Sequence, residues 1–369
     1  MVEVKVLGAA GDLLALREEW EQLAARCPGH RLPQRYRWSE VAWRTVAEPR
    51  GRSLHILTLR SGGRLVGVWA LVGYLDKGLR LVRPLGAESS EYTEPLVEPG
   101  PHHDAWLDRL WNAARPLGDL LFMSHLRSDS AFALLPAKNR LRCFVDNELN
   151  APQILRAAYA DWQAYLATVS TSHLSGLRRK RRRLSDLGEV TFRREEAPVD
   201  PATIEAILAH KQAWIARRGL RNDWLAQADY CDFLCAMTSD PHDADGLSLF
   251  VLRVGDTPVA FQINAVDDRR VEFMIGCQDP GWGRYSSGEL LMQDCLQWAV
   301  ERGLDYDFRI GDETYKASWA RHDCLTFNCL VALSWRGLAA IGRQRAAKRL
   351  QDLRARFGLG KLRRVLWRR

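Results

Sequence analysis

Four acidic or phenolic side chains and a lysine fall within ten consecutive residues of this chain: Asp307, Asp312, Glu313, Tyr315 and Lys316, in the segment D-F-R-I-G-D-E-T-Y-K. A carboxylate can take a proton from an attacking amine or hydroxyl, and a phenol can return one or donate to a developing oxyanion. An ammonium can anchor a phosphate or a carboxylate. Apart from Asp307, the cluster follows a stretch, residues 304–310, that reads as a buried strand. Charged groups packed at the end of such a strand are costly unless they bind or catalyse. Glu313 and Asp312 are therefore candidate bases, Tyr315 a candidate acid or oxyanion donor, and Lys316 a candidate anchor. Asp307 either orients them or, by strand alternation, is buried as a hydrogen-bond acceptor. The competing reading is structural, with Glu313 and Lys316 forming a salt bridge that closes a turn.

Other elements must hold this cluster. A helix over residues 290–301 ends at Gly303, a typical C-cap residue, and is preceded by Tyr285, Ser286, Ser287 and Gly288. Unpaired N–H groups and the dipole at a helix start attract anions, and Gly283 and Gly288 permit close backbone approach. These residues are candidates for holding the phosphates of a donor, although a glycine before a helix is also common without any ligand.

An internal repeat frames the whole chain. Residues 55–72 align without a gap on residues 248–265, matching Leu59 with Leu252, Arg60 with Arg253, Gly62 with Gly255 and Val66 with Val259, with Gly67 opposite Ala260. Each copy reads as a strand, a Gly-centred turn and a second strand. Helical spacing precedes each: Leu13, Leu16, Trp20 and Leu23, then 38–46, in the first copy; Ile204, Ile207, Leu208, Lys211 and Trp214, then 230–237, in the second. A further strand and helix follow each hairpin. Two helical segments, 162–169 and 174–187, open the second half. The expected fold is α/β (α+β), with two duplicated domains of mixed central sheet flanked by helices. The boundaries fall at 1–150, 151–334 and a basic tail, 335–369. The first copy lacks G-D-E-x-Y-K and is expected to shape the cleft rather than react.

Composition narrows the class. The 369 residues are 47% hydrophobic and 27% charged, with 14 Trp, a globular balance. No apolar run approaches the roughly 20 residues of a membrane span, and the N-terminus does not read as a signal peptide. Eight scattered Cys without a C-x-x-C pair fit a reducing cytoplasm better than zinc or disulfides. His102-His103-Asp104 and the segment 240–246 read as surface turns, so no metal is expected. The net charge of +8 sits mainly in the tail, where twelve Lys or Arg face one acid from residue 335 onward. There Ala346, Leu350, Leu353 and Phe357 form a stripe on a basic helix, and Trp367 lies near the end. Such a helix either lies on anionic lipid or packs its stripe on the body. The run L-R-R-K-R-R-R-L, residues 177–184, contains Arg178 and Arg182. It is a solvated helix face or a contact for the phosphates of a donor, a nucleotide-linked sugar or tRNA.

The motifs G-C-Q-D-P (276–280), Y-S-S-G-E-L-L (285–291) and D-F-R-I-G-D-E-T-Y-K (307–316) followed by Trp319 resemble the CelD/BcsL-type acetyltransferase-like family. This is a tandem-GNAT group related to the FemABX peptidoglycan aminoacyltransferases. The likeness includes an N-terminal W-x-x-L at Trp20 and Leu23 and the basic helix before Leu184. Cys277-Gln278 stands where the family usually has an aromatic, and Arg309-Ile310 where a Leu-Arg order is more typical. The resemblance implies transfer of an acyl group from acetyl-coenzyme A, or another acyl-coenzyme A, to an amine or hydroxyl of a polysaccharide precursor or related envelope molecule. It implies donor contacts at Tyr285, Ser286, Ser287, Gly288 and Lys316, and acceptor contacts at Arg178, Arg182 and Trp319. The place implied is the cytoplasm, peripheral to the inner face of the membrane. Aminoacyl transfer from tRNA and a non-catalytic scaffold at the membrane surface are the alternatives; DNA is not an expected partner.

Overall fold

The computed structural model describes residues 2–92, 94–134, 142–219, 225, 227–239, 246–311 and 313–356, the last three of these by backbone alone. Asp312, residues 240–245, Phe357 and Trp367 lie outside the described residues. The chain divides into two compact units, Met1–Glu148 with Thr326–Arg369, and Leu149–Leu325.

The first unit begins with β1 (Val2–Leu7), α1 (Ala10–Ala15), α2 (Arg17–Ala25) and α3 (Tyr36–Ala42). Leu13, Leu16, Trp20 and Leu23 are all buried, as their spacing requires, although the helix breaks into two at Leu16. Then come β2 (Ser53–Ser61), β3 (Arg64–Asp76), β4 (Leu79–Pro84), β5 (Leu96–Val97), α4 (His103–Ala114), β6 (Leu120–Arg127) and β7 (Cys143–Asn150).

The second unit runs through β8 (Gln153–Ile154), α5 (Trp162–Leu166), α6 (Thr171–Ser185), β9 (Val190–Arg194), α7 (Pro201–Arg217) and α8 (Ala228–Met237). It continues with β10 (Gly246–Val254), β11 (Thr257–Val266), β12 (Arg270–Gln278), α9 (Ser287–Glu301), β13 (Asp305–Asp307) and α10 (Thr314–Trp319). Its sheet is ordered β8-β13-β12-β11-β10-β9, with β12 and β13 parallel and the other pairs antiparallel. Leu290, Leu291, Leu296 and Val300 of α9 pack with Val259, Val271 and Tyr306 of the sheet in one core.

The chain then returns to the first unit as β14 (Leu325–Ala332) and α11 (Trp335–Arg356). β14 pairs antiparallel with β6, from Thr326↔Arg127 to Ala332↔Leu120, completing the order β1-β2-β3-β4-β6-β14-β7 with β5 on β3. Residues 326–334, assigned from sequence to the second domain, thus belong to the first sheet. The sequence could not show this, because an apolar strand carries no mark of the neighbour it joins.

The two hairpins are duplicates down to their irregularities. β2–β3 has a bulge between Leu59 and Arg60, and β10–β11 has one at the equivalent Leu252 and Arg253. At each bulge the arginine turns back on its own loop, Arg60 to Gly63 O at 3.0 Å and Arg253 to Asp256 O at 3.1 Å. Each also pairs with a glutamate, Glu19 or Glu195. Gly62 (φ 58°) and Gly255 (φ 55°) take the left-handed conformation that both turns need.

α11 seats its inner face on the first sheet through Ile341, beside Leu120, Phe144 and Leu330. Its closest approach is at Gly337, where a Cβ would lie 1.9 Å from Asp119 O. Gly337→Ala must therefore push the helix outward, and we expect a loss of about 2 kcal/mol, read from urea unfolding.

Candidate active site of the second unit

β12 and β13 lie side by side for only three residue pairs, Arg270↔Asp305, Val271↔Tyr306 and Glu272↔Asp307. β12 then runs on to Gln278, while β13 stops. The sequence leads one to expect a strand as far as residue 310. The structure ends it at Asp307 because Arg309 adopts a left-handed φ of 57° and Gly311 a φ of 132°. The buried Asp307 carboxylate accepts the Arg309 N–H at 2.7 Å, the contact that its structural reading calls for. Phe308 N–H and Gly311 N–H bond instead to Pro152 O and Asn150 O. The outcome is a parted pair of strands, with β12 beyond Glu272 unpaired on its β13 side.

The turn that follows β13 is held by Lys316. Its buried ammonium donates to Ile310 O at 2.6 Å, to Arg309 O at 3.4 Å, and pairs with Glu313 Oε2 at 3.0 Å. These three contacts use all three of its donors. Lys316 therefore fastens the turn, and a phosphate anchor would need to take it from these partners. Gly311 has to be glycine, since a Cβ there would lie 2.2 Å from Glu313 Oε2 and 2.8 Å from Lys316 Nζ. The Glu313 carboxylate is 44% exposed, which leaves it able to meet a substrate. Burial pushes the Tyr315 phenol above its ordinary value, with Glu313 adding to the rise. Tyr315 thus keeps its proton.

Lys211 of α7, present in the sequence reading only as a helix-spacing residue, belongs to this cluster. Its Nζ donates to Gly276 O on β12 at 3.1 Å and stands 4.6 Å from the centre of the Trp214 ring. No acid among the described residues forms an ion pair with it. Burial holds its ammonium below the ordinary lysine value, partly offset by Glu313 and Cys277, with Lys316 acting in the same direction as burial. Cys277, beside it, is pushed up to about 12 by burial and is an inert thiol. The only sequence signal for Lys211 is a cation on an otherwise apolar helical stripe.

The start of α9 is where the sequence points for donor phosphates. Ser286 is left-handed (φ 51°, ψ 44°), and Ser287 turns inward, its Oγ donating to Val259 O at 3.1 Å. The Gly288 N–H is already engaged, donating to Gln278 Oε1 at 2.9 Å. Cβ atoms at Gly283 and Gly288 would meet the Gln278 side chain at 3.4 and 3.2 Å, so the two glycines make room for Gln278. Glu289 places a carboxylate in the first turn, paired with Lys180 at 3.3 Å. Tyr285 is partly buried against the core. As folded, this helix start carries its own internal cap.

Three acceptor candidates fall away from the cluster. Arg178 and Arg182 lie on the outer face of α6, while Lys180 and Arg181 turn inward to Glu289 and Asp294. Trp319 is fully buried, edge-on to His173, and its carbonyl accepts from Tyr165 Oη at 2.7 Å. A side chain with no exposed surface has none to offer an acceptor in this conformation.

Residues 171–317 match the family model described as an acetyltransferase (GNAT) domain. No curated protein matches the chain. Among solved structures, FemX superposes with a TM-score of 0.59 at 11% identity, covering 85% of this chain and 95% of that one. The C-terminal domain of a putative lysylphosphatidylglycerol synthetase from Agrobacterium fabrum gives 0.53 at 13%, covering 90% and 96%. A tandem GNAT protein from the clavulanic acid biosynthesis pathway gives 0.50 at 13%, covering 90% and 99%. The chain therefore has the tandem GNAT fold, with a GNAT acetyltransferase domain in its second half.

The setting of Lys211 has a measurable consequence. Its folded value lies below its unfolded one, so the unfolded chain binds the extra proton between the two. Stability contributed by this residue rises with pH across that window, up to the ordinary lysine value of about 10.4. Lys211→Met should lack the rise, so its melting temperature should exceed or equal that of the parent at neutral pH and lose ground as pH increases.

Proposed function

We propose that the protein is an acyltransferase whose chemistry takes place in the second unit, in the cleft where β12 and β13 part. One observation carries this: beyond Glu272 the edge of β12 is left without β13, beside a half-exposed Glu313 carboxylate. An extended acyl donor with amide groups, as in acetyl-coenzyme A or another acyl-coenzyme A, can add to such an edge much as a further strand would. Glu313 takes the proton from the acceptor amine or hydroxyl as it attacks the acyl carbonyl. Tyr315, held protonated, is the donor toward the leaving group, and Lys211 supplies positive charge against the oxyanion or an anionic part of the substrate. Asp312 remains a second candidate base from its place in the sequence. The acceptor in this reading is an envelope or polysaccharide-type molecule, as the CelD/BcsL resemblance implies.

The capped start of α9 favours a second reading. Diphosphate binding there requires Gln278 to leave Gly288 N–H, whereas an aminoacyl-tRNA donor needs no such seat and could use the outward Arg178, Arg179, Arg182 and Arg183. Titration calorimetry separates the two. The first reading expects acetyl-coenzyme A to bind, and more tightly to Gln278→Ala. The second expects no such binding, but tRNA affinity that falls steeply with salt.

For the chemistry, Glu313→Gln should lower kcat about a hundredfold or more, with a smaller fall in melting temperature, because the amide oxygen can still accept from Lys316 although the buried ammonium loses its counter-charge. Unchanged turnover in a steady-state assay would remove Glu313 from the mechanism and leave Asp312 as the candidate base.

A further inference from the structure

α11 has an apolar face on each side. Its inner face carries Gly337 and Ile341, with Arg345 donating to Cys143 O at 2.6 Å and Lys348 paired to Asp146 at 3.1 Å. The opposite side would be polar if it only met water. Instead it presents Trp335, Ala339, Gly342, Ala346, Leu350 and Leu353, all exposed, with Trp335 at 77%, Leu350 at 56% and Leu353 at 48%. At 3.6 residues per turn these six lie within about 40° of a single line along the helix. The cations stand on its flanks, Arg336 and Arg343 on one side and Arg345 and Arg349 on the other. Arg343 and Arg349 pair with no acid among the described residues. Residues 335–356 hold seven Lys or Arg and one acid, Asp352.

From this face we infer that α11 is a docking helix that lies flat on an anionic lipid surface, with its outer stripe toward the acyl chains. Charge decides the occupant. A second copy would set the flanking arginines, Arg343 and Arg349 among them, against their own copies, whereas an anionic bilayer offers counter-charge along the helix. The side chains match the depth profile of an interface. The Trp335 ring suits the headgroup level, Leu350 and Leu353 enter more deeply, and arginine stems reach sideways to lipid phosphates. The small Ala339, Gly342 and Ala346 let the backbone come close to the surface. No described helix is long and apolar enough to cross a membrane, so the attachment is to one face. The inference is independent of which acyl donor the second unit uses.

The test is co-sedimentation of the full chain with vesicles of phosphatidylcholine alone or with about 40% phosphatidylglycerol. The parent should pellet with the anionic vesicles and stay in solution with the neutral ones, and binding should weaken as salt is raised. A stripe variant, Trp335→Ser with Leu350→Ser and Leu353→Ser, and a flank variant, Arg343→Ser with Arg349→Ser, should each bind about tenfold or more weakly. Both sets of residues are exposed, so both variants should melt with the parent. Parental binding by the stripe variant would overturn the inference and assign lipid contact to other residues, such as the basic sequence after 356. No preference for anionic vesicles in the parent would overturn it outright. So would a dimer of the parent that the stripe substitutions dissolve, because the face would then belong to a second copy.

Discussion

The second unit depends on one buried ammonium. Lys316 Nζ ties together Arg309 O, Ile310 O and Glu313 Oε2, and so fixes a turn whose backbone a continuing strand could not adopt. β13 stops at Asp307, β12 continues paired with β11 on its other side only, and the Glu313 carboxylate is held at the turn. A buried cation with all its donors satisfied is stable, whereas the same cation without them would be costly. Turn, cleft and candidate base are therefore aspects of a single arrangement.

Duplication supplies the frame and divergence supplies the site. Both hairpins keep the bulge and the arginine that folds back on its own loop, so the sheet geometry is shared. At the position paired with Gly67 the first unit has Val97, and at the matching position opposite Ala260 the second has Gln278. The apolar residue adds to a core, whereas the amide reaches the start of α9 and caps it. After β6 the first unit has a charged turn of its own, with Arg127 paired to Asp129 at 2.8 Å, but its sequence carries no G-D-E-x-Y-K. The two copies share the architecture and differ in the polar groups set on it.

Local features were legible in the sequence, and features that depend on long-range neighbours were not. Gly62 and Gly255 announce their turns because only glycine takes that backbone readily, and the apolar spacing of α2, α7 and α9 marks their buried faces. The charged segment 307–316 was visible by density alone, and so was the possibility that Asp307 and the Glu313–Lys316 pair are structural. Lys211 was not, since nothing in its neighbourhood on α7 reveals that Gly276 and Glu313 lie beside it. Gln278 stood out only as a departure from a family pattern. Trp319 looked available because a motif position does not report burial. The stripe on α11 was visible only in part. Its extension back to Trp335, and its orientation away from the first sheet, follow from how Gly337 and Ile341 seat the helix.

The most direct test of the account is hydrogen exchange with and without saturating acetyl-coenzyme A. If the donor lies along the freed edge of β12, exchange should slow in residues 273–278 and 309–316, while the matching strand β5 of the first unit stays unchanged. Protection in β5, or in neither segment, would contradict the placement of the site in the second unit's cleft.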